Sequence, residues 1–247
     1  MTLHVVILGA LSAVAEEIAR LYASEGAALM LVGRGAERLQ AVAADLGVRG
    51  ASAVHIDDRD LTRTEDAAAA VEDWTRRLGG FDHVLLAYGV LGDQAAAEQD
   101  PAEAVRALNV NFVSAAAWCL AAANALEARK AGSLVVLGSV AGDRGRQSNF
   151  IYGAAKGGLA ILVQGLAHRL AKSGVRAVIV KPGFIDTPMT AHLPKGGPLW
   201  SSPAQIARLV RRAADKGGPI AYAPGYWRLI LTAVRATPAF VFHKTKL

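Results

Sequence analysis

A chain of 247 residues, 53% hydrophobic and with a single cysteine, is long enough for one α/β domain with a large core, and it excludes a disulfide scaffold or a cysteine-built metal site. Its formal net charge of +6 suits anionic cofactors or lipid phosphates, while no aromatic-basic module for nucleic acid stands out. The start, MTLHVVILGA, enters a strand with no basic n-region or cleavage site, and no uncharged apolar run reaches the ~18 residues of a spanning helix, so a cytoplasmic chain is expected.

Apolar runs predict strands near Val5–Leu8, Leu29–Val32, Ala53–Ile56, Val84–Leu86, Leu134–Leu137, Arg176–Val180 and Ile220–Tyr222, with helices between them. This alternation predicts a doubly wound parallel sheet of the Rossmann type, as a single domain over residues 1–247. Connections between its parallel strands should be right-handed.

The first turn, Gly9 to Ala15, joins strand one to a helix expected from about Ala13. Such a helix N-terminus is an anion site, which makes Gly9, Ser12, Ala13 and Val14 candidates to face a pyrophosphate. Ser12 offers a hydroxyl donor, whereas the Ala13 methyl group crowds the approach to the backbone. Strand two ends in Gly33-Arg34, without the acid that reads a ribose 2′-hydroxyl. The Arg34 guanidinium would instead meet a 2′-phosphate, so NADP(H) is favoured and NAD(H) is the alternative. Arg38 lies one turn on, and a plain surface arginine is the other reading of Arg34.

A long helix is expected from about Pro101 to Lys130, and it carries Asn109 and Asn111. Asparagine competes for backbone hydrogen bonds and is a poor helix-interior residue. The single cysteine, Cys119, falls in this helix as a packing residue.

After the strand Leu134–Leu137 comes Ser139, then Tyr152 thirteen residues later and Lys156 four beyond that. Helical periodicity over Ile151–Leu170 puts Tyr152 and Lys156 one turn apart on one face. A neighbouring cation favours the phenolate, so Lys156 is expected to lower the Tyr152 pKa. The set Ser139, Tyr152 and Lys156 resembles the catalytic set of the short-chain dehydrogenase/reductase family.

That resemblance covers almost the whole chain and implies an NAD(P)H-dependent enzyme that reduces a ketone or oxidises a secondary alcohol, without a metal. It implies that Ser139 holds the substrate carbonyl, Tyr152 transfers the proton and Lys156 holds the nicotinamide ribose. Asn111, in N-F-V-S, matches the family asparagine that kinks its helix and anchors a relay water. Asp57 would meet the adenine amino group, with the Asp58 backbone beside the ring; helix capping is the plain reading of both. Ala87-Tyr88-Gly89 stands where the family has N-N-A-G, with only the glycine kept. Pro182-Gly183 through Thr187 resembles the P-G-x-x-x-T segment, where the Ile185 backbone and Thr187 would grip the nicotinamide carboxamide. The family's T-G-x-x-x-G-x-G loop is reduced here to Gly9. That loss, and the missing asparagines, motivate an alternative: a non-catalytic dinucleotide-binding sensor or scaffold.

Residues of about 188–203 contain Pro194, Gly196, Gly197 and Pro198 and read as a mobile substrate lid, with His192, Lys195 and Trp200 as candidate contacts. The tail, about 224–247, is apolar, aromatic and basic at once and reads as a peripheral membrane contact, a packing helix or a subunit contact. The stretches Tyr88–Asp93, Ser139–Arg144, Ser148–Gly153 and Met189–Leu193 resemble one branch of the family, the decaprenylphosphoryl-2-keto-pentose reductases. That branch implies a lipid-linked sugar substrate at the inner face of the membrane; the family more widely implies a small-molecule substrate and a homo-oligomer.

Overall fold

The computed structural model describes residues 2–245. The seven predicted strands form one sheet: β1 (His4–Leu8), β2 (Ala28–Gly33), β3 (Ala53–Asp58), β4 (His83–Leu86), β5 (Ser133–Leu137), β6 (Arg176–Pro182) and, last in the chain, β9 (Ile220–Ala223). All pair in parallel, in the order β3-β2-β1-β4-β5-β6-β9. Strands buried on both faces are apolar throughout, which is why they read as continuous runs rather than alternations.

Period-two alternation divides the core between two faces. Val6, Leu8, Met30 and Val32 point to one side, against Trp74 of α3 (Ala67–Leu78), Trp118 of α6 (Ser114–Arg129) and Leu159 of α7 (Phe150–Leu170). Val5, Ile7, Leu29 and Leu31 point to the other, against Ile18 of α1 (Ala13–Ser24), Leu39 of α2 (Ala36–Val48) and Ile206 of α8 (Pro203–Lys216). The order of strands reverses between β1 and β4, so the crevice at this switch point opens at their carboxyl ends, where an α/β sheet binds ligands.

The expected Pro101–Lys130 helix is three segments. After the short α4 (Gln94–Gln99), α5 (Pro101–Leu108) passes into a π-helical turn, Asn109–Val113, and then into α6. From within this turn Asn111 Nδ2 donates back to the Ala107 carbonyl of α5, the kind of insertion that unwinds a helix locally. The stretches Pro101–Arg129 and Phe150–Ser173 are long and apolar enough to cross a membrane by composition. Both pack on the sheet, with Trp118, Cys119, Leu159 and Val163 in the core.

The lid is fastened. Strands β7 (Phe184–Ile185) and β8 (Trp200–Ser201), absent from the sequence reading, pair in parallel across it, and Lys195 Nζ meets Asp186 Oδ1 at 2.5 Å. The tail forms α9 (Trp227–Ala236) and α10 (Ala239–Phe242). Trp227 and Leu231 are buried against Val140, and the Arg144 guanidinium covers Phe242 at 3.8 Å. Part of the apolar surface that the composition offers to a membrane is therefore used within the chain. Leu229 and Phe240 remain 75% and 71% exposed. Lys246, part of the same basic-apolar pattern, lies outside the described residues.

Candidate functional site

Gly9 leaves β1 with φ +82, and a methyl group there would lie 2.5 Å from Tyr88 Cβ, so only glycine lets this turn pass the end of β4. Its N–H and that of Ala10 both donate to the Val32 carbonyl. Ser12 caps α1 by accepting from Ala15 N at 3.2 Å, which leaves its hydroxyl hydrogen to donate outward. Val14 is buried, so it offers a ligand its first-turn amide rather than its side chain. A bare turn and the first amides of α1, ahead of the capped Ala15, fit a dinucleotide pyrophosphate at the switch point.

Arg34 follows β2 with its side chain 75% exposed and Nη1 3.6 Å from Asp60 Oδ2. Asp58 Oδ1 accepts from Gly35 N at 2.8 Å. Asp57 Oδ2 accepts from both Trp74 Nε1 at 2.7 Å and Arg59 Nε at 2.8 Å, so a ligand would meet its Oδ1.

At the end of β4, Ala87 N–H donates to the Leu8 carbonyl. Tyr88 stands in the place of an asparagine, and its hydroxyl lies 2.9 Å from Ser114 Oγ, which itself donates to the Val110 carbonyl. Tyrosine and serine thus tie the end of β4 to α6, a link that sequence spacing alone did not reveal. A methyl group at Gly89 would lie 2.6 Å from Asn111 Oδ1 and 3.4 Å from Lys156 Nζ, which locates these three residues together. Asn111 is buried and holds the β4 loop through both main-chain groups of one residue: Oδ1 accepts from Val90 N at 3.0 Å and Nδ2 donates to Val90 O at 2.8 Å. With Nδ2 also bonded to Ala107, both amide hydrogens are engaged. A water held at this side chain would therefore donate to Oδ1.

Ser139 begins a 3₁₀ turn, Val140–Asp143, and its Oγ accepts from Ala141 N at 3.1 Å. This turn lies directly on the backbone of α7. A methyl group at Gly142 would come within 2.6 Å of Gly157 N, and one at Gly153 within 2.9 Å of the Ala141 carbonyl. Gly153 and Gly157, one helical turn apart, form a seam, and Tyr152 and Lys156 each precede one of them. The seam brings Ser139 into the neighbourhood of the Tyr152 phenol.

Lys156 is 4% exposed and its Nζ donates to the Leu137 carbonyl at 3.0 Å. Burial pulls its pKa down to about 8. The Tyr152 phenol is shifted upward by burial, against the opposite pull of Ser139. This corrects the sequence expectation. Nζ lies 5.8 Å from the Tyr152 ring centroid and donates to the Leu137 carbonyl, and desolvation of the phenolate is the largest influence on the phenol.

Strand β6 ends at Pro182. Gly183 N donates to the Ala223 carbonyl at 3.2 Å, and any side chain at Gly183 would collide with the Trp227 indole. The Ile185 carbonyl accepts from Thr190 Oγ1 at 2.6 Å, and Thr190 Oγ1 in turn accepts from Thr187 N at 3.2 Å. In the lid, Trp200 stacks on Phe184 with ring centroids 5.4 Å apart, while His192 is exposed. The structure thus brings Lys156, Gly89 and Asn111 together, with Ser139 and Tyr152 across the glycine seam, while in the lid His192 is exposed and Lys195 pairs with Asp186.

The sequence pattern described as short chain dehydrogenase matches residues 3–197. An uncharacterized oxidoreductase of Mycobacterium tuberculosis is 37% identical over 240 residues, covering 97% of this chain and 96% of its own length. The 3-oxoacyl-[acyl-carrier-protein] reductase of Bos taurus is 30% identical over 187 residues, covering 76% of this chain and 77% of the relative. Among solved structures, levodione reductase superimposes with a TM-score of 0.81 at 23% identity, covering 92% of this chain and 98% of that one, a likeness of fold.

The buried lysine has a measurable consequence. Its folded pKa of about 8 lies below the ordinary lysine value of 10.5, so below pH 8 the native state bears the full penalty of a buried ammonium. As pH rises from about 8 to 10.5 the native amine loses its proton before the unfolded one does, and that penalty disappears. Urea unfolding at pH 7.5 and 9.5 should therefore show wild type gaining on the order of 1 kcal/mol relative to Lys156→Met. An unchanged difference between the two proteins would place Lys156 in a solvated setting.

Proposed function

The chain belongs to the short-chain dehydrogenase family and is an NAD(P)-dependent dehydrogenase or reductase, and on that premise we propose that Ser139, Tyr152 and Lys156 carry the interconversion of a ketone and a secondary alcohol. The observation that supports this most is the Gly142–Gly157 seam, which gathers the three side chains from a strand end and a helix. When bound, the nicotinamide cofactor supplies or accepts the hydride. Gly9 and the first amides of α1 would hold its pyrophosphate, and Pro182, Gly183, Ile185 and Thr187 its nicotinamide end.

In the reducing direction, the Ser139 hydroxyl donates to the substrate carbonyl oxygen and fixes its position. The Tyr152 O–H gives its proton to the same oxygen as negative charge develops there. A phenol raised by burial holds that proton at neutral pH and releases it to the more basic alkoxide. Lys156, which donates to Leu137 O, would hold the ribose and restore the proton through a water anchored at Asn111.

The preference for NADP(H) over NAD(H) rests on Arg34, a guanidinium exposed at the end of β2 with no acid on that strand end. The finer substrate reading is a 2-keto sugar on a polyprenyl phosphate, handled by a cytoplasmic homo-oligomer that docks on the inner face of the membrane. It is supported by the sequence stretches named above. The tail supports it too, since Leu229, Phe240 and Val241 stay exposed beside Arg228, Arg235 and Lys244. Leu120 and Ile161, exposed on α6 and α7, offer apolar surface for a second subunit.

Tyr152→Phe should lower turnover about 10²–10⁴-fold, the usual worth of a general acid, while cofactor affinity stays within a few-fold. NADPH oxidation with a panel of ketones and keto sugars measures this, and near-normal turnover would remove Tyr152 from the mechanism. Arg34→Ala should weaken NADPH about tenfold to a hundredfold, the worth of a charge-assisted contact, and NADH little. Equal losses in fluorescence titrations would show that Arg34 does not read the 2′-phosphate. Full-length protein should float with anionic liposomes at low salt and less as salt rises, since each basic residue near such a surface adds about 1 kcal/mol. Protein that stays behind at every salt concentration would remove the membrane-docked reading.

A further inference from the structure

We propose that Asp143 is a positioning residue of this active site: its buried carboxylate keeps three loops of the site in register. The proposal rests on the dehydrogenase reading above. Asp143 ends the turn that Ser139 starts, and its side chain is 1% exposed. Oδ1 lies 2.5 Å from Lys181 Nζ, and Oδ2 accepts from the Tyr222 hydroxyl at 2.6 Å. Lys181, also buried, directly precedes the Pro182-Gly183 turn. Tyr222 lies on β9, two residues before Pro224 and the tail. Lys181 and Tyr222 are cross-strand partners in the β6–β9 ladder, so one carboxylate grips both members of a pair.

The neighbouring residue extends the fastening. Arg144 donates to the carbonyls of Val234, Arg235 and Thr237, which terminate α9, and its guanidinium lies over Phe242. These are carbonyls that a helix C-terminus leaves without intrahelical partners. Two consecutive residues thus tie the serine turn to the strand ends on one side and to the tail on the other.

Stability alone does not account for this node. Removing two charges from water is unfavourable, and apolar side chains of the same volume often serve a fold as well or better. What a charged, hydrogen-bonded pair supplies is direction, because its geometry tolerates little displacement. The segments it aligns are those where displacement matters. Trp227 packs against Val140, the residue after Ser139, and lies across Gly183. A shift of the Lys181–Gly183 strand end would carry the nicotinamide-facing turn away from Ser139, and reaction geometry is sensitive to about 1 Å. Asp143 touches none of the reacting atoms in this scheme; it acts through Lys181 and Tyr222.

The test separates alignment of the nicotinamide end from general damage. Full-length wild type, Asp143→Asn and Tyr222→Phe are titrated with whichever of NADPH and NADH binds wild type more tightly. Each is also titrated with the matching ADP-ribose, with or without the 2′-phosphate, which lacks the nicotinamide. Asp143→Asn should bind the whole dinucleotide at least tenfold more weakly and the ADP-ribose fragment within twofold of wild type. Tyr222→Phe, which keeps the ion pair, should show the same split at about threefold, and it carries the test alone if Asp143→Asn does not fold. Equal losses on both ligands, or no loss in a folded variant, would overturn the proposal. Wild type that binds neither dinucleotide would overturn the dehydrogenase reading itself, and this proposal with it.

Discussion

The site depends on one close contact between two stretches of backbone. The turn that begins at Ser139 rests on α7 at Gly142, Gly153 and Gly157, with no side chain between them. Interior packing is dense enough that a single methyl group in such a seam must displace something. Here a methyl at Gly142 would meet main-chain atoms of Lys156 and Gly157, which belong to a rigid helix and cannot turn aside. The distance from Ser139 to Tyr152 is thus set by glycine sterics before any hydrogen bond is made. The alternation in Tyr152-Gly153 and Lys156-Gly157 has this cause: one face of the helix turn carries the proposed catalytic side chains and the adjacent face must be bare.

Closeness of this kind brings desolvation. Lys156 is nearly sealed from water beneath the turn, with the Leu137 carbonyl as its hydrogen-bond acceptor, and its affinity for a proton falls accordingly. Tyr152 moves in the opposite direction for the same reason, since burial disfavours the phenolate as it disfavours the ammonium. Both groups are therefore held nearer to neutrality than their exposed counterparts. A site of that kind can pass a proton without stabilising a permanent ion pair, which would resist the transfer.

The tail illustrates how composition misleads when packing is unknown. Trp227, Leu231 and Phe242 belong to the same apolar-basic run as Leu229 and Phe240, yet the former close over Val140 and under Arg144 while the latter face outward. The lid behaves similarly. Glycine and proline suggest a loose loop, but Phe184 and Trp200 stack and their strands pair, so the segment is anchored at its far end. In both cases aromatic residues distant in sequence supply the constraint.

The sequence by itself determined the seven strands and their parallel winding, which follow from a local regularity, apolar runs for doubly buried strands. The Ser139, Tyr152 and Lys156 set was legible as a family resemblance, carried by a serine after a strand and a four-residue step along a helix. Only the tertiary structure decided the direction of the Tyr152 shift, because that balance depends on how much water surrounds the phenol and where Lys156 Nζ points. It also decided the break of the long helix at Asn109–Val113, because Asn111 turns its amide to Val90 on another strand's loop. The Asp143–Lys181–Tyr222 node was invisible for the same reason. Its members are scattered along the chain and each has an ordinary surface role by composition. Burial together gives them their meaning, and burial is a property of the packed sheet rather than of any one segment.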